Sequence, residues 1–459
     1  EREADPEWYE WYEGPEDLDP FALRYSFWRL TQSRHREALR DYYDKKKIGL
    51  DERLLDEAPS LRKVEPVQLS MPISKPRGSR KDADDFVRSV SAMFLKYPQI
   101  DDPYVQLKEV LQTRLITNSE GTSSVAQERF VEILVYGSIL APDGVRQTCT
   151  RTFYSRRWRE LPERNELEAV VDGIHEELRA LAAAEPMEPY AGPALFGGVA
   201  SGVLFHEAIG HRLEGERLLS RSEGHTFARK VGKRILPVGI DLVDDPSLAQ
   251  FAGRSLYGHY TFDDEGTPAE RVNLVEDGIL RRFLTSRNGI PGQGSSNGHG
   301  RSSRGNEVMA RMSNLIVSAR EPLGQAALEE RWMQEVANQE QPFGLLVTNA
   351  ESGETSTSSD AYEFQAFQIN PTEVYLVDTS SGKRRRVRDV SFVGTPLAAI
   401  QGVLALGDDP TVDNSYCGAE SGNVPVGTVA PSVLLRDIEV QRSTRARQRP
   451  AILRLPPRR

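Results

Sequence analysis

Three side chains in the stretch GVLFHEAIGHRLEGE, residues 202–216, have the chemistry of a metal-dependent hydrolase. His206 and His211 offer imidazole nitrogens and Glu207 a carboxylate, in an apolar run that Ser201 is placed to cap as a helix. Neutral imidazoles bind zinc, and a carboxylate that does not ligate the ion can take a proton from water that the ion activates. The spacing resists this reading. In the familiar HExxH helix the histidines are four apart on one face, whereas five steps on a regular helix separate the side chains by roughly 140°. Both reach one ion only if the helix is distorted, and the pattern predicts an extra residue, a π-bulge, near Gly210. With a regular helix, the same residues are ordinary hydrogen-bonded core groups.

A zinc site of this kind needs a third ligand. Glu214, Glu216, Glu223 and Asp241 follow the histidines, and Cys417, in the turn-like segment NSYCGAESGNVPVG, is a thiolate that Gly418 lets approach a metal. Composition alone does not choose among them. Cys149, in RQTCTRTF, reads as a small packed residue on a strand. His225, His259 and His299 also follow the motif. His299 stands between glycines, as if backbone must come close to a ligand, and Arg301 beside it suits a carboxylate, so this pair is the candidate substrate-binding set.

The elements that must position these groups are legible as periodicities. Residues 20–47 and 82–96 have helical spacing, and residues 105–156 alternate in short runs broken by NSEGT and APDG, as an antiparallel sheet does. A helix is expected over 165–184, with His175 among its charges, and a boundary falls in the proline and glycine cluster at 186–192. Beyond it β signals dominate, with turns at Asp277–Gly278 and Gly382, helices over 323–338 and, opened by Thr395 and Pro396, over 395–407. The fold class is therefore α+β: a helical and mixed N-terminal region, then a β-rich C-terminal domain of antiparallel sheets carrying the histidine helix. The expected domains are 1–100, helical and mixed with an acidic aromatic arm; 101–190, α/β; 191–440, β-rich; and a basic tail, 441–459, disordered or draped.

The whole chain sets bounds. Its 459 residues are enough for two or three domains, and a net charge of −10 argues against a nucleic-acid surface as its main business. No run of eighteen apolar residues occurs, so no membrane span is expected. Two cysteines are too few for a disulfide framework. A start at Glu1 with no methionine fits a processed or trimmed chain, which leaves the compartment open between cytoplasmic and exported.

HEAIGHRLEGE, then YTFDDEGTPAERVNLVEDGILRRFL, SNGHGRSS, MARMSNLIV and YCGAESGNVPVG, taken in that order, resemble the TldD/PmbA family of metallopeptidases across roughly residues 100–440. The resemblance implies zinc held by His206, His211 and Cys417, with Glu207 as general base. It implies cleavage of unfolded or short peptides, added as a strand inside a chamber between two subunits, in a homodimer or with a paralogue. Arg212 departs from the family pattern, where glycine stands, and residues 1–100 match only loosely. Two other readings carry different chemistry: a non-catalytic partner or scaffold subunit, against which the complete His-Glu-His-Cys set argues, and a zinc amidohydrolase acting on a modified peptide.

Overall fold

The computed structural model describes residues 15, 19–51, 59, 61–75, 79–219, 226–356, 367–443 and 446–448. The acidic arm before Pro20 lies almost entirely outside them, as do Glu223, His225 and most of the basic tail. The first elements are helix α1 (Pro20–Asp51), strand β1 (Gln68–Ser70), helix α2 (Arg80–Ser91), strands β2 (Asp101–Thr117), β3 (Ser123–Leu140) and β4 (Arg146–Ser155), and helix α3 (Arg164–Ala183). Helix α2 starts in a capping box, Ser79 and Asp82 each bonding the other's backbone N–H.

Strands β2, β3 and β4 form the expected antiparallel meander. Helix α3 buries Leu167, Val171, Ile174 and Leu178, which alternate in steps of four and three and so share one face. That face covers Val131, Ile133 and Val135 of β3, one contiguous helix-on-sheet core. His175 is not simply solvated, because its ring stacks on Tyr97 at 4.0 Å.

The second part begins with β5 (Tyr190–Phe196) and helix α4 (Gly198–Ala208). It continues through β6 (Ile240–Asp244), β7 (Val272–Glu276), β8 (Asn314–Ala319), α5 (Gln325–Asn338), β9 (Phe343–Thr355) and β10 (Phe367–Asp378). It ends with β11 (Val390–Gly394), α6 (Pro396–Gln401), β12 (Thr411–Ala419), β13 (Gly422–Ala430) and β14 (Val433–Arg442). The α+β class holds, but the sheets are mixed: β5 runs parallel to β9, and β8 parallel to β13. In one sheet, pairing passes from β9 through β5, β14, β11 and β10 back to β9, a closed circuit. In the other, the path runs from Ile279–Leu280 through β7, β6, β8 and β13 to β12, which is the edge strand.

One expected helix is shorter than its pattern. After α6 ends at Gln401, Val403–Leu406 form a strand on β14. The apolar run GVLALG fits either state by periodicity, and pairing with β14 decides it. The turn at Asp277–Gly278 is as expected, both residues having positive φ.

The two parts are joined by buried polar contacts. Arg156, just after β4, donates to the carbonyls of Leu256 at 3.0 Å, Tyr257 at 2.7 Å and His259 at 2.6 Å. The Tyr257 ring is fully buried against Phe130, Tyr154 and Tyr416, and its hydroxyl donates to the Val131 carbonyl. Of the tail, Arg447 bridges Val145 and Gln448 bonds Gly144, so this short piece is draped over the β3–β4 turn. Among the described residues, no helix is long and apolar enough to cross a membrane.

Candidate metal centre

Helix α4 is apolar on nearly every side, as a buried helix must be, and it is buried along almost its whole length. It starts one turn earlier than the sequence suggests. Gly197 is the N-cap and Ser201 lies inside the helix, its backbone N–H bonded to the Gly197 carbonyl. The helix ends at Ala208. Ile209 leaves helical geometry (φ −128°, ψ −39°), and Gly210–Leu213 form a 3₁₀ turn.

The expected distortion is therefore real in place and different in kind: the axis breaks, and no π-bulge is inserted. Gly210 sits where Met312 crosses, and a Cβ there would fall 2.2 Å from the Met312 sulfur. A larger residue there would require the Met312 side chain to shift, and the break at Ile209 releases His211 from the angular count of a regular helix. The two imidazoles end 5.0 Å apart between centroids and nearly perpendicular.

Cys417 comes from the edge strand β12, opposite Val424 of β13, and not from a loop; the turn follows it. Its sulfur lies 3.1 Å from His206 Nε2 and 3.3 Å from His211 Nε2. One ligand atom from each of these three residues lies within 4.8 Å of the others, and all three side chains are buried. Zinc with N ligands at about 2.0–2.1 Å and S at about 2.3 Å sets N···S near ~3.5 Å at tetrahedral angles. The donor set fits such an ion after a few tenths of an ångström of opening.

The other carboxylates considered as ligands point elsewhere. Glu214 accepts from His211 Nδ1 at 3.1 Å, from Arg217 at 2.9 Å and from Arg311 at 3.2 Å. Glu216 accepts from Ser286 and Asn288, and Asp241 from the Asp277 backbone. Arg311, completely buried, joins two sides of the site by donating to Glu214 and to the Cys417 sulfur at 3.1 Å. Nothing in the local sequence marks Glu214 or Arg311 for these positions; the nearest signal is a charged residue inside each apolar stretch.

Electrostatics follow from burial and these neighbours. Burial opposes a charged Cys417, but the imidazoles of His211 and His206 outweigh it and hold the thiol well below its usual range. Glu214 likewise overcomes burial through His211, Arg217 and Arg311 and stays ionised. Burial pushes Glu207 up, against the pull of the two histidines. Asp413 is pushed up to about 6, again mainly by burial.

The site opens on a cavity of about 510 Å³ lined by His206, Glu207, His211 and Cys417, by Glu351–Thr355 of β9 and by Ser415–Glu420. Pairing of β9 with β5 stops at Val347, and β12 has a strand on one side only, so among the described residues two open strand edges flank the cavity. Gly353 presses on the carboxylate: a Cβ there would lie 2.4 Å from Glu207 Cγ. Arg212 donates to the Glu207 carbonyl and to Thr355, tying helix end to strand end.

The sequence profile of the PmbA/TldA metallopeptidase C-terminal domain matches residues 190–442, more than half of the chain. The chain belongs to the PmbA/TldD family. A metalloprotease of Methanothermobacter thermautotrophicus is 29% identical over 245 residues, covering 52% of this chain and 48% of that one. A metalloprotease of Archaeoglobus fulgidus is 30% identical over 237 residues, 51% and 50% of the two chains. The chain thus spans about half the length of the curated relatives it matches. Among solved structures, a putative modulator of DNA gyrase from Thermotoga maritima aligns with TM-score 0.59 at 18% identity, covering 80% of this chain and 75% of that one. TldE from Thermococcus kodakarensis aligns at 0.57 and 17%, covering 84% and 80%. These two likenesses bear on the fold alone.

The candidate substrate pair does not join this PmbA/TldD-type centre. His299 is fully buried, its ring between Asn297 and Asp244 at 3.1 Å. Arg301 donates to the carbonyls of Met312 and Pro425 and lies over the Tyr260 ring. Neither lines the cavity. His259 bonds the Pro246 carbonyl.

Proposed function

We propose that the chain is a zinc-dependent peptidase in which His206, His211 and Cys417 hold the ion and Glu207 is the general base. The observation that carries this reading is the meeting of two imidazoles and a thiol on a cavity, with the Glu207 carboxylate beside them and outside the cluster. A zinc metalloprotease TldD homolog of Saccharolobus solfataricus, 24% identical over 256 residues, supports the choice of metal. Bound there, zinc supplies Lewis acidity toward a carbonyl and lowers the pKa of water. Glu207 accepts the proton and returns it to the leaving amine, and its raised pKa suits it to both transfers. Glu214 fixes the His211 ring by accepting from Nδ1, which leaves Nε2 for the metal.

The substrate that suits this cavity is an extended peptide. An unfolded chain can lie between the edges of β9 and β12 and satisfy its backbone as an added strand, which a folded protein cannot do. A chamber between two subunits is part of the proposal.

Metal analysis tests the ligands, and cleavage of an unfolded protein beside its folded form tests the activity. Wild type should hold about one zinc per chain. Cys417→Ser should lose it, and Glu207→Gln should keep it yet fail to cleave. Zinc retained equally by Cys417→Ser would remove the cysteine from the set. Cleavage by Glu207→Gln at the wild-type rate would remove the base.

A further inference from the structure

The cavity at the metal centre carries an uneven charge. Besides Glu207 and the two histidines, its charged lining residues are Glu351, Glu354, Asp413, Glu420 and Arg217. Arg217 pairs with Glu420 at 3.1 Å and with Glu214 at 2.9 Å, so the one guanidinium of the lining is already neutralised. Glu351, Glu354 and Asp413 remain, and among the described residues none of these three side chains has a hydrogen-bond or ion-pair partner. Two further cations stand near without lining the cavity: Arg254 donates to the Val412 carbonyl, and Lys108 lies over the Tyr416 ring. Three carboxylates in a concave site, with no cation of their own, attract one from outside.

Their placement says which cation. Glu351 and Glu354 come from β9, where a bulge inserts Glu351 between Ala350 and Ser352. Bulges of this kind re-aim a side chain beside a site. Asp413 comes from the edge strand β12, on the other wall. Side chains of a strand alternate, so Asp413, Ser415 and Cys417 share one face, opposite Thr428, Val426 and Val424 of β13. Four residues of rise set Asp413 about 13 Å along the strand from the cysteine. Burial without a counterion in contact pushes the Asp413 carboxyl up to about 6.

We propose that the cavity selects basic peptides, and that Asp413 takes a lysine or arginine side chain of the bound strand. This rests on the peptidase reading above and names its substrate class. A peptide added along the edge of β12 has the same rise and the same alternation as β12 itself. The residue that faces Asp413 is then about four positions from the one that lies at Cys417. Since the scissile bond lies at the metal, the basic side chain falls about three to five residues from the cut. Glu351 and Glu354, on the other wall, favour further positive charge along the same strand and oppose an acidic residue or a terminal carboxylate there.

Short unstructured peptides, neutral except for a single Lys, Gln or Glu at one position, test this. Fluorescence anisotropy of labelled peptides with zinc-loaded Glu207→Gln reads binding, and mass spectrometry of the wild-type products reads the cut. The Lys peptide should bind at least about tenfold more tightly than the Glu peptide, with the Gln peptide between them. That advantage should shrink as salt is raised. Wild type should cut at a fixed distance from the lysine. Asp413→Asn should bring the Lys and Gln peptides within about threefold of each other, and Asp413→Lys should reverse the order of Lys and Glu. Equal binding of the three peptides, cuts at no fixed distance from the lysine, or a Lys preference that both Asp413 substitutions leave unchanged would overturn the proposal. The last of these would assign the preference to the chain's net charge of −10. If wild type cuts none of the peptides, the peptidase reading fails by itself, and binding still decides the charge preference.

Discussion

Glu214 is held by three partners at once, and each has a separate tie to the centre: His211 is a proposed ligand, Arg311 donates to the Cys417 sulfur, and Arg217 donates to the His211 carbonyl. Its charge is the common counterion of this cluster. Glu214→Gln should therefore leave the fold in place but weaken metal affinity about 10–100-fold, the usual cost of losing the group that orients a metal-binding imidazole. Competition with a chromogenic chelator measures this, and unchanged affinity would reduce Glu214 to a structural ion-pair member. A second carboxyl controls stability. Burial, its largest influence, pushes Glu265 up from 4.5 to about 7, so the folded chain holds a proton that the unfolded chain has released. The folded state then binds more protons between those values, and stability falls as pH rises from about 4.5 through about 7. The loss is on the order of 3 kcal/mol. Urea unfolding at pH 5 and pH 8 should show that loss in wild type and much less of it in Glu265→Gln; equal slopes in the two proteins would exclude this group as the source.

Among the elements, β9 and α4 must approach closely for the cavity to have its shape, and Gly353 is where they touch. Alanine there places its Cβ 2.4 Å from Glu207 Cγ, so the carboxylate must move while the metal ligands need not. Gly353→Ala should keep its zinc and lose peptide cleavage by on the order of 100-fold, since displacing a reacting group by about 1 Å costs that much. Full activity in this variant would mean that Glu207 has room the structure does not show. At this scale the sequence was informative where a pattern is local. The period of α3, the Asp277–Gly278 turn and the His-Glu-His stretch depend on near neighbours and could be read directly. The break at Ile209 could not, because the apolar pattern runs on through it and the side chain packed beside it, Met312 on Gly210, is about a hundred residues away in the chain. The strand Val403–Leu406 was hidden for the same reason: its partner β14 decides its conformation. His299 and Arg301 misled because glycines beside a histidine mark a tight backbone approach equally well in a buried hydrogen-bonded core.

For the whole molecule, Arg156 is one of several contacts that tie the β2–β4 layer to the β-rich part, beside Tyr257 on Val131, Ser255 on Glu160 and the ion pairs Arg114–Asp264 and Arg388–Asp143. Removing its side chain leaves three backbone carbonyls without this donor in a buried setting, each worth about 1–3 kcal/mol. Arg156→Ala should lower stability by roughly 3 kcal/mol or more and broaden or split the calorimetric transition, because the two cores would no longer unfold together. A single sharp transition at the wild-type temperature would show that the remaining contacts between the two parts suffice without Arg156. The edge strand β12 carries a last consequence, one of timing. Cys417 meets His211 across 206 residues, on a strand whose partner β13 ends at Ala430. A nascent chain therefore exposes its two histidines some 206 residues before the sulfur leaves the ribosome, and the His206–His211–Cys417 cluster comes together only after that whole stretch has been made.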